Sequence, residues 1–205
     1  MKDVSRTPPA LEGRRERKRR ETRARIADAA ITLFLRKGFT AVTVDEIAEA
    51  ADVSKRTFFD YFPAKEDVVI AWQDKFTGPL TEAVAAGPQS EAPVQAVERA
   101  MLDALGKTAT PESFAIHALV QGTPALAARE QHKYVLLETR LFEALHARYP
   151  QENPLGLRLL AMVVIGALRI GTEEWQSTEG LKPEDIPSFT HKVFRMLWRQ
   201  LAKLR

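Results

Sequence analysis

Between Thr43 and Pro63 the chain is punctuated so closely that only short helices fit. Thr43-Val44-Asp45-Glu46 has the spacing of a capping box, in which the threonine hydroxyl accepts the backbone N–H three residues on and the glutamate reaches back to the threonine's own N–H. Val42 and Ile47 stand where a hydrophobic staple closes over such a start. The helix so begun should end near Ala50 or Ala51. Asp52-Val53 then makes a tight turn, and Ser54 is placed to cap another helix that runs to Phe62 and is stopped by Pro63. Aspartate suits the turn because it enters left-handed backbone more readily than most residues. Upstream, Ile26, Ala29, Ala30, Leu33 and Phe34 recur at helical spacing on a helix beginning at about Glu21. That helix stops before Gly38, the expected left-handed cap. Three helices, the last two short and joined by a turn, make the layout of a helix-turn-helix module.

Beyond Pro63 the pattern lengthens. Helices are predicted over Lys65 to Ala86 with a break at Gly78-Pro79, over Pro93 to Lys107, Glu112 to Gln121, Ala125 to Tyr149 and Leu155 to about Gln176. A last one starts at Pro183 or Pro187 and reaches Leu204. No strand-like alternation and no internal repeat occurs. The fold class is therefore all-α: a disordered basic arm over 1–20, a helix-turn-helix domain over 21–65, and a helical bundle over 66–205.

Charge separates the ends of the chain. Residues 1–25 hold ten basic and four acidic side chains, a net +6, which leaves −3 for the other 180 residues of a protein whose total is +3. A basic arm on a near-neutral body suggests a polyanionic partner. A helix-turn-helix meets that expectation by exposing side chains of its second helix to base edges while polar groups and helix N-termini hold phosphates. In SKRTFFDYF the outward set is Lys55, Arg56, Thr57, Phe59 and Tyr61, with Phe58 and Phe62 inward. Arg56 is the base-reading candidate, since a guanidinium bonds both acceptors of guanine in a fork. Thr43 and Lys65, each at a helix start, are phosphate candidates.

The stretch GFTAVTVDEIAEAADVSKRTFFDYFPAKEDVV, residues 38–69, resembles the DNA-binding module of TetR-family transcriptional regulators. Its wording and the basic leader resemble actinobacterial members of the AcrR-like branch. The resemblance implies a homodimer on a palindromic double-stranded DNA operator, most often a repressor. It implies phosphate contacts from Thr43, Ser54, Thr57, Tyr61 and Lys65 and base reading by Arg56. Phe59 departs from a frequent tyrosine, leaving only packing on sugar or a thymine methyl, and Asp52 replaces a frequent glycine. Asp60 adds a negative charge that either accepts from a cytosine amine or pairs with a cation of the arm.

Other function classes find little support. HExxH, GxSxG, GxGxxG and P-loop patterns are all missing, so no enzyme, catalytic residue or cofactor is expected. The histidines 117, 132, 146 and 191 lie too far apart for local metal ligation. There is no cysteine, which fits a reducing compartment. The uncharged apolar run Leu159 to Leu168 is too short to cross a bilayer, and no apolar stretch follows the N-terminal basic residues, so a cytoplasmic location without membrane contact is expected.

Polar residues interrupt the apolar stripes of the body, which suggests a small-molecule cavity; a filled core would point instead to a TetR-fold DNA-binding structural protein whose body binds another protein. The cavity is expected to take an apolar or amphipathic effector. Its candidate residues are Trp72 and Phe76, Met101, the trio Phe114, His117 and Gln121, the trio Tyr134, Glu138 and Phe142, and finally Arg169 and Glu173. For the dimer interface two segments are expected. One is Leu155 to Gly171, apolar nearly all round, with Gly166 and Ala167 permitting close approach. The other is a stripe of Phe189, Val193, Leu197, Leu201 and Leu204 on the last helix, flanked by Phe194 and Trp198.

Overall fold

The computed structural model describes residues 13–178 and 182–203. The expectations for residues 1–12 and for Leu204 lie outside that range. Among the described residues there are ten α-helices, two single 3-10 turns and no strand. Contacts divide the chain into two compact units, one up to Val68 and one from Val69, three residues beyond the expected boundary.

The first unit holds α1 (Arg14–Lys37), α2 (Val44–Ala50), α3 (Lys55–Tyr61) and the start of α4 (Lys65–Gln73). The apolar stripe of α1 is buried from Ile26 to Phe34, and it shares a core with Phe39, Val42, Ile47, Phe58 and Phe62. Phe34 and Phe39 meet at 5.0 Å between ring centroids, and Phe58 and Phe62 at 5.8 Å. α1 begins seven residues before the expected Glu21, so Arg14–Arg20 is helical rather than part of a disordered arm. Those residues carry no apolar periodicity; they are arginine, lysine and glutamate, which are good helix formers, and Arg17 lies 3.7 Å from Glu21 one turn on.

Asp52 and Gly38 both take the expected positive φ, but Gly38 is not in the left-handed helical region of the expected cap. Asp52 has φ +50° and is, among the described residues, the one non-glycine with positive φ. Gly38 ends α1 at φ +82°, ψ 152°, in a region essentially reserved for glycine. A Cβ at Gly38 would meet no atom within 4 Å, so any penalty for a side chain there is conformational and not steric. Gly38→Ala should cost about 1–3 kcal/mol in chemical denaturation; a variant as stable as the wild type would show that the backbone can relax into an ordinary cap.

The second unit is a bundle of α5 (Thr77–Ala85), α6 (Pro93–Thr108), α7 (Pro111–Gln121), α8 (Pro124–Arg148), α9 (Pro154–Ser177) and α10 (Ile186–Ala202). α6, α7, α8 and α9 each start on proline, whose missing N–H is unneeded in a first turn. The expected break at Gly78-Pro79 falls earlier, as a 3-10 turn at Asp74–Phe76, and Pro79 lies within the first turn of α5. The reason is steric: a proline ring clashes with the carbonyl four residues back, here Lys75, so a continuous helix must give way before the proline. The core joins Leu80 and Val84 of α5, Val97 and Met101 of α6, Leu137, Leu141 and Leu145 of α8, Leu157, Ala161 and Val164 of α9 and Phe194 of α10.

An ionic knot closes the turn between α5 and α6. Arg99 and Arg148 converge on Glu91, at 2.8 and 3.1 Å, and Arg148 also donates to the carbonyls of Val84 and Pro88. A side chain at Gly87 would meet the charged ends of all three, which would have to shift to admit it.

Candidate functional site

Two caps shape the helix-turn-helix. Thr43 Oγ1 accepts from the Glu46 N–H at 3.2 Å, and the Thr43 N–H donates to Glu46 Oε2 at 2.8 Å, so the predicted capping box is complete. Lys37 at the end of α1 donates to Glu46 Oε1 at 2.7 Å. That bond, followed by the Thr43 N–H and hydroxyl, pulls the Glu46 carboxyl down to about 2. A lowered folded-state value adds stability that is present above the ordinary carboxylate range. The module should therefore weaken as pH falls through that range toward 2, and Glu46→Gln should flatten this part of an acid titration.

Ser54 caps α3 by accepting from the Thr57 N–H at 3.0 Å, and the two hydroxyls lie 2.8 Å apart. Phe58 and Phe62 are fully buried, as expected. Phe59 is 47% exposed and stands edge-on to Phe58, an apolar ring held out toward solvent by the ring beneath it. Arg56 is exposed and, among the described residues, forms no hydrogen bond or ion pair. Asp60 is exposed likewise. Thr57 and Tyr61 are half-buried beside them.

The two lysines behave differently. Lys55 reaches back to Asp45 at 2.8 Å, an exposed pair of the kind worth at most about 1 kcal/mol. Lys65 is half-buried. Its Nζ donates at 2.9 Å to the carbonyls of both Phe39 and Val42 and sits 4.3 Å from the Phe39 ring centre. Lys65 thus ties α4 to the loop that precedes α2, with two of its three donors engaged by these carbonyls.

The second unit contains a cavity of about 440 Å³. Its walls are mostly aromatic and aliphatic. Phe114 of α7 stacks on Trp175 of α9 at 5.9 Å and 18°, and Trp175 meets Phe189 of α10 edge-on at 5.1 Å. Trp72, Phe76, Met101 and Tyr134 also belong to the apolar lining. Burial of Tyr134, with the carboxylates of Glu130 and Glu173 near it, pushes its phenol well above the usual range, so the hydroxyl stays protonated.

Two polar residues of this lining, His117 and Lys133, meet a buried carboxylate that is not itself part of it. Glu130 of α8 is 4% exposed and accepts from three sides: His117 Nδ1 at 3.3 Å, Lys133 Nζ at 3.3 Å and Gln121 Nε2 at 2.7 Å. Burial is the largest influence on Glu130 and pushes its carboxyl up, but His117 and Lys133 together outweigh it and hold the carboxyl below its usual range. Burial also dominates at Lys133, where the single carboxylate does not compensate and the ammonium is pushed down.

A model of the family described as "Bacterial regulatory proteins, tetR family" matches residues 26–72. Across 181 residues the chain is 31% identical to the HTH-type transcriptional regulator TcmR of Streptomyces glaucescens, an alignment spanning 83% of this chain and 80% of that protein. The chain belongs to the TetR family. It is a transcriptional regulator with a DNA-binding helix-turn-helix. It is also 30% identical over 103 residues to the HTH-type transcriptional repressor KstR2 of Rhodococcus jostii, covering 48% of this chain and 50% of that one. Among solved structures, a TetR transcriptional regulator from Rhodococcus sp. RHA1 shares the fold with a TM-score of 0.57 at 20% identity, over 89% of this chain and 97% of that one.

The structure brings together only part of the cavity set expected for this TetR-family chain. Trp72, Phe76, Met101, Phe114, His117 and Tyr134 line the cavity. Five others do not. Gln121 turns to Glu130, and Arg169 and Glu173 form an exposed pair at 2.8 Å one turn apart on α9. Phe142 stacks on His146 at 5.7 Å and packs against the core, and Glu138, on the same helix, also lies off the lining. Conversely, Phe189 and Val193, expected at the dimer interface, line the cavity, as does Trp175, which no expectation from sequence covered. The stripe of α10 therefore divides: Phe189 and Val193 line the cavity together with the flanking, buried Phe194, Leu197 packs against the core, and Leu201 is exposed. Within the chain the close approach of α9 is at Gly171, where a Cβ would lie 3.4 Å from Val193; at Gly166 it would meet nothing within 4 Å, and Ala167 lines the cavity.

Proposed function

We propose that this TetR-family regulator is a homodimeric repressor that binds a palindromic operator through α3 and is released when an apolar or amphipathic small molecule fills the cavity of the second unit. The carrying observation is that cavity, an open interior of about 440 Å³ with aromatic walls interrupted by polar residues, where a body built only to bind another protein would be filled. A ligand releases DNA only if it binds better to the conformation in which the recognition helices are wrongly placed. α4 suits this coupling. Its first residue, Lys65, is bonded to the carbonyls of Phe39 and Val42 in the first unit, and Trp72, two turns on, lines the cavity.

The dimer is supported by what the second unit leaves uncovered. Leu155, Leu159, Met162 and Ile170 form an exposed apolar line along α9, and Met196 and Leu201 are exposed on α10. By length and composition α9 could span a bilayer, but the family and its two-sided use, one face in the core and one toward a partner subunit, favour a cytoplasmic protein. A palindromic operator also needs two recognition helices about one DNA turn apart.

Arg56 is assigned to base reading and Thr43, Ser54, Lys55, Thr57, Phe59, Tyr61 and Lys65 to the surrounding backbone. Arg56→Ala should weaken operator binding by about 1–3 kcal/mol and relax preference at one base pair, read by fluorescence anisotropy against a set of operator variants. Unchanged affinity would remove α3 as the reading helix. For the effector, compounds that release operator DNA from the wild type should lose at least about tenfold in potency in folded Phe114→Ala and Tyr134→Ala variants; full potency in both places the effector elsewhere.

A further inference from the structure

Among the described residues the cavity lining carries three lysines, Lys75, Lys107 and Lys133, against one carboxylate, Glu112. Lys107 is paired with Asp103 and Lys133 with Glu130, but neither of those carboxylates is itself on the lining. A bound molecule therefore touches the cations and not the groups that offset them. Lys75, Lys107 and Glu112 are exposed, whereas the side chain of Lys133 is only 16% exposed. The buried charge of the lining is that of Lys133.

Its ammonium is under-compensated. Lys133 Nζ makes one hydrogen bond, to Glu130 at 3.3 Å, which is long beside the usual range of about 2.7–2.9 Å for a charge-assisted bond. The same carboxylate is held more closely by Gln121, at 2.7 Å, and also meets His117. Burial accordingly pushes the ammonium down despite its partner. A second donor stands beside it: Nζ lies 4.7 Å from the centre of the Tyr134 ring, and Tyr134 also lines the cavity. The phenol of Tyr134 is held protonated, and its hydroxyl forms no hydrogen bond among the described residues. His117 adds no third group, since Nδ1 faces Glu130 and Nε2 is buried without accessible surface. The hydroxyls of Thr108 and Thr172 donate within their own helices, at 2.8 and 2.7 Å.

We infer that the cavity takes an amphipathic anion, an apolar molecule ending in a carboxylate whose oxygens accept from the Lys133 ammonium and the Tyr134 hydroxyl. The inference rests on the reading of the cavity as the effector site and adds the charge of its ligand. Two neighbouring donors, one of them cationic, suit a group with two acceptor oxygens, and the aromatic and aliphatic walls suit the body behind it. A carboxylate enters an apolar interior only where it is paired and hydrogen-bonded, and these two groups supply both. The carboxylates near the tyrosine have partners of their own: Glu173 is paired with Arg169, and Glu130 keeps Gln121 and His117 when the ammonium is shared.

The test titrates the full-length protein with decanoate, decanamide, 1-decanol and decylammonium, read by tryptophan fluorescence, since Trp72 and Trp175 line the cavity. Decanoate should bind about tenfold more tightly than the amide or the alcohol, as expected for a hydrogen bond between charged groups, and decylammonium should bind most weakly. Tyr134→Phe removes a hydroxyl with no bond inside the chain, so its denaturation midpoint should match the wild type while decanoate loses about threefold to tenfold and decanol binds as before. Lys133→Met should bring decanoate down to the level of the amide. Equal affinities for decanoate and decanamide in the wild type overturn the inference and leave the cavity reading standing, as does decanoate binding that Tyr134→Phe leaves unchanged. A preference for decylammonium overturns it too and moves recognition to Glu112. Failure of all four probes to bind removes the inference together with the effector reading. Decanoate that binds as stated yet leaves operator DNA bound keeps the ligand chemistry and removes the effector reading alone. The wild-type series and Tyr134→Phe decide the matter even if Lys133→Met does not fold.

Discussion

Leu159→Glu combined with Met162→Glu is expected to convert the protein to monomers in light scattering at micromolar concentration, and to lower operator affinity by a factor on the order of 10²–10⁴. Both residues are about half exposed on the outer line of α9, so two carboxylates there leave the chain's own core intact and oppose only a partner. The affinity loss follows from linkage: when two half-sites are held by one dimer, the second contact is effectively intramolecular, and separating the subunits removes that advantage without touching α3. The choice of position matters. Val164 lies on the same helix and looks equivalent in sequence, but it is fully buried within its own chain, and a glutamate there would disrupt the bundle. A double variant that remains dimeric would move the interface away from α9.

Glu130→Ala is expected to cost about 3–5 kcal/mol in chemical denaturation, the range seen when one partner of a buried ion pair is removed. The loss would come less from broken bonds than from what is left behind: the buried ammonium of Lys133, Nδ1 of His117 and the amide of Gln121, all without their acceptor. Glu130→Gln should be milder, since it keeps an oxygen. The carboxyl of Glu130 lies below its usual range in the folded state, so its contribution is fully present above that range and is lost as pH falls through it. The difference between wild type and Glu130→Gln should accordingly shrink under acid. A Glu130→Ala variant within about 1 kcal/mol of wild type would show that water already reaches the cluster.

The helix-turn-helix was legible almost residue by residue because its signals are local. A cap needs a hydroxyl and an N–H three residues apart, and a turn needs one residue that tolerates positive φ; both requirements are met within a single stretch of chain, as at Thr43, Ser54, Asp52 and Gly38. The start of α1 was missed for the converse reason. Arg14–Arg20 has no buried face, so hydrophobic periodicity, the main signal for a helix, is silent there even though intrinsic propensity suffices.

The body divides along the same line. Proline spacing and apolar stripes were enough to place its helices, since each stripe is a property of one helix. Which face of a stripe meets the core, the cavity or solvent depends on the rotation of each helix against its neighbours, and that is set by packing. Arg169 and Glu173 read as polar anchors in an apolar run, yet they pair on the surface; Phe189 and Val193 read as interface, yet they wall the cavity. His117 was recognisable as a polar interruption of α7. That one of its nitrogens is held by Glu130 while the other is buried and unpaired required α7 and α8 to be brought together, because the two residues stand thirteen apart in sequence and meet only through the fold.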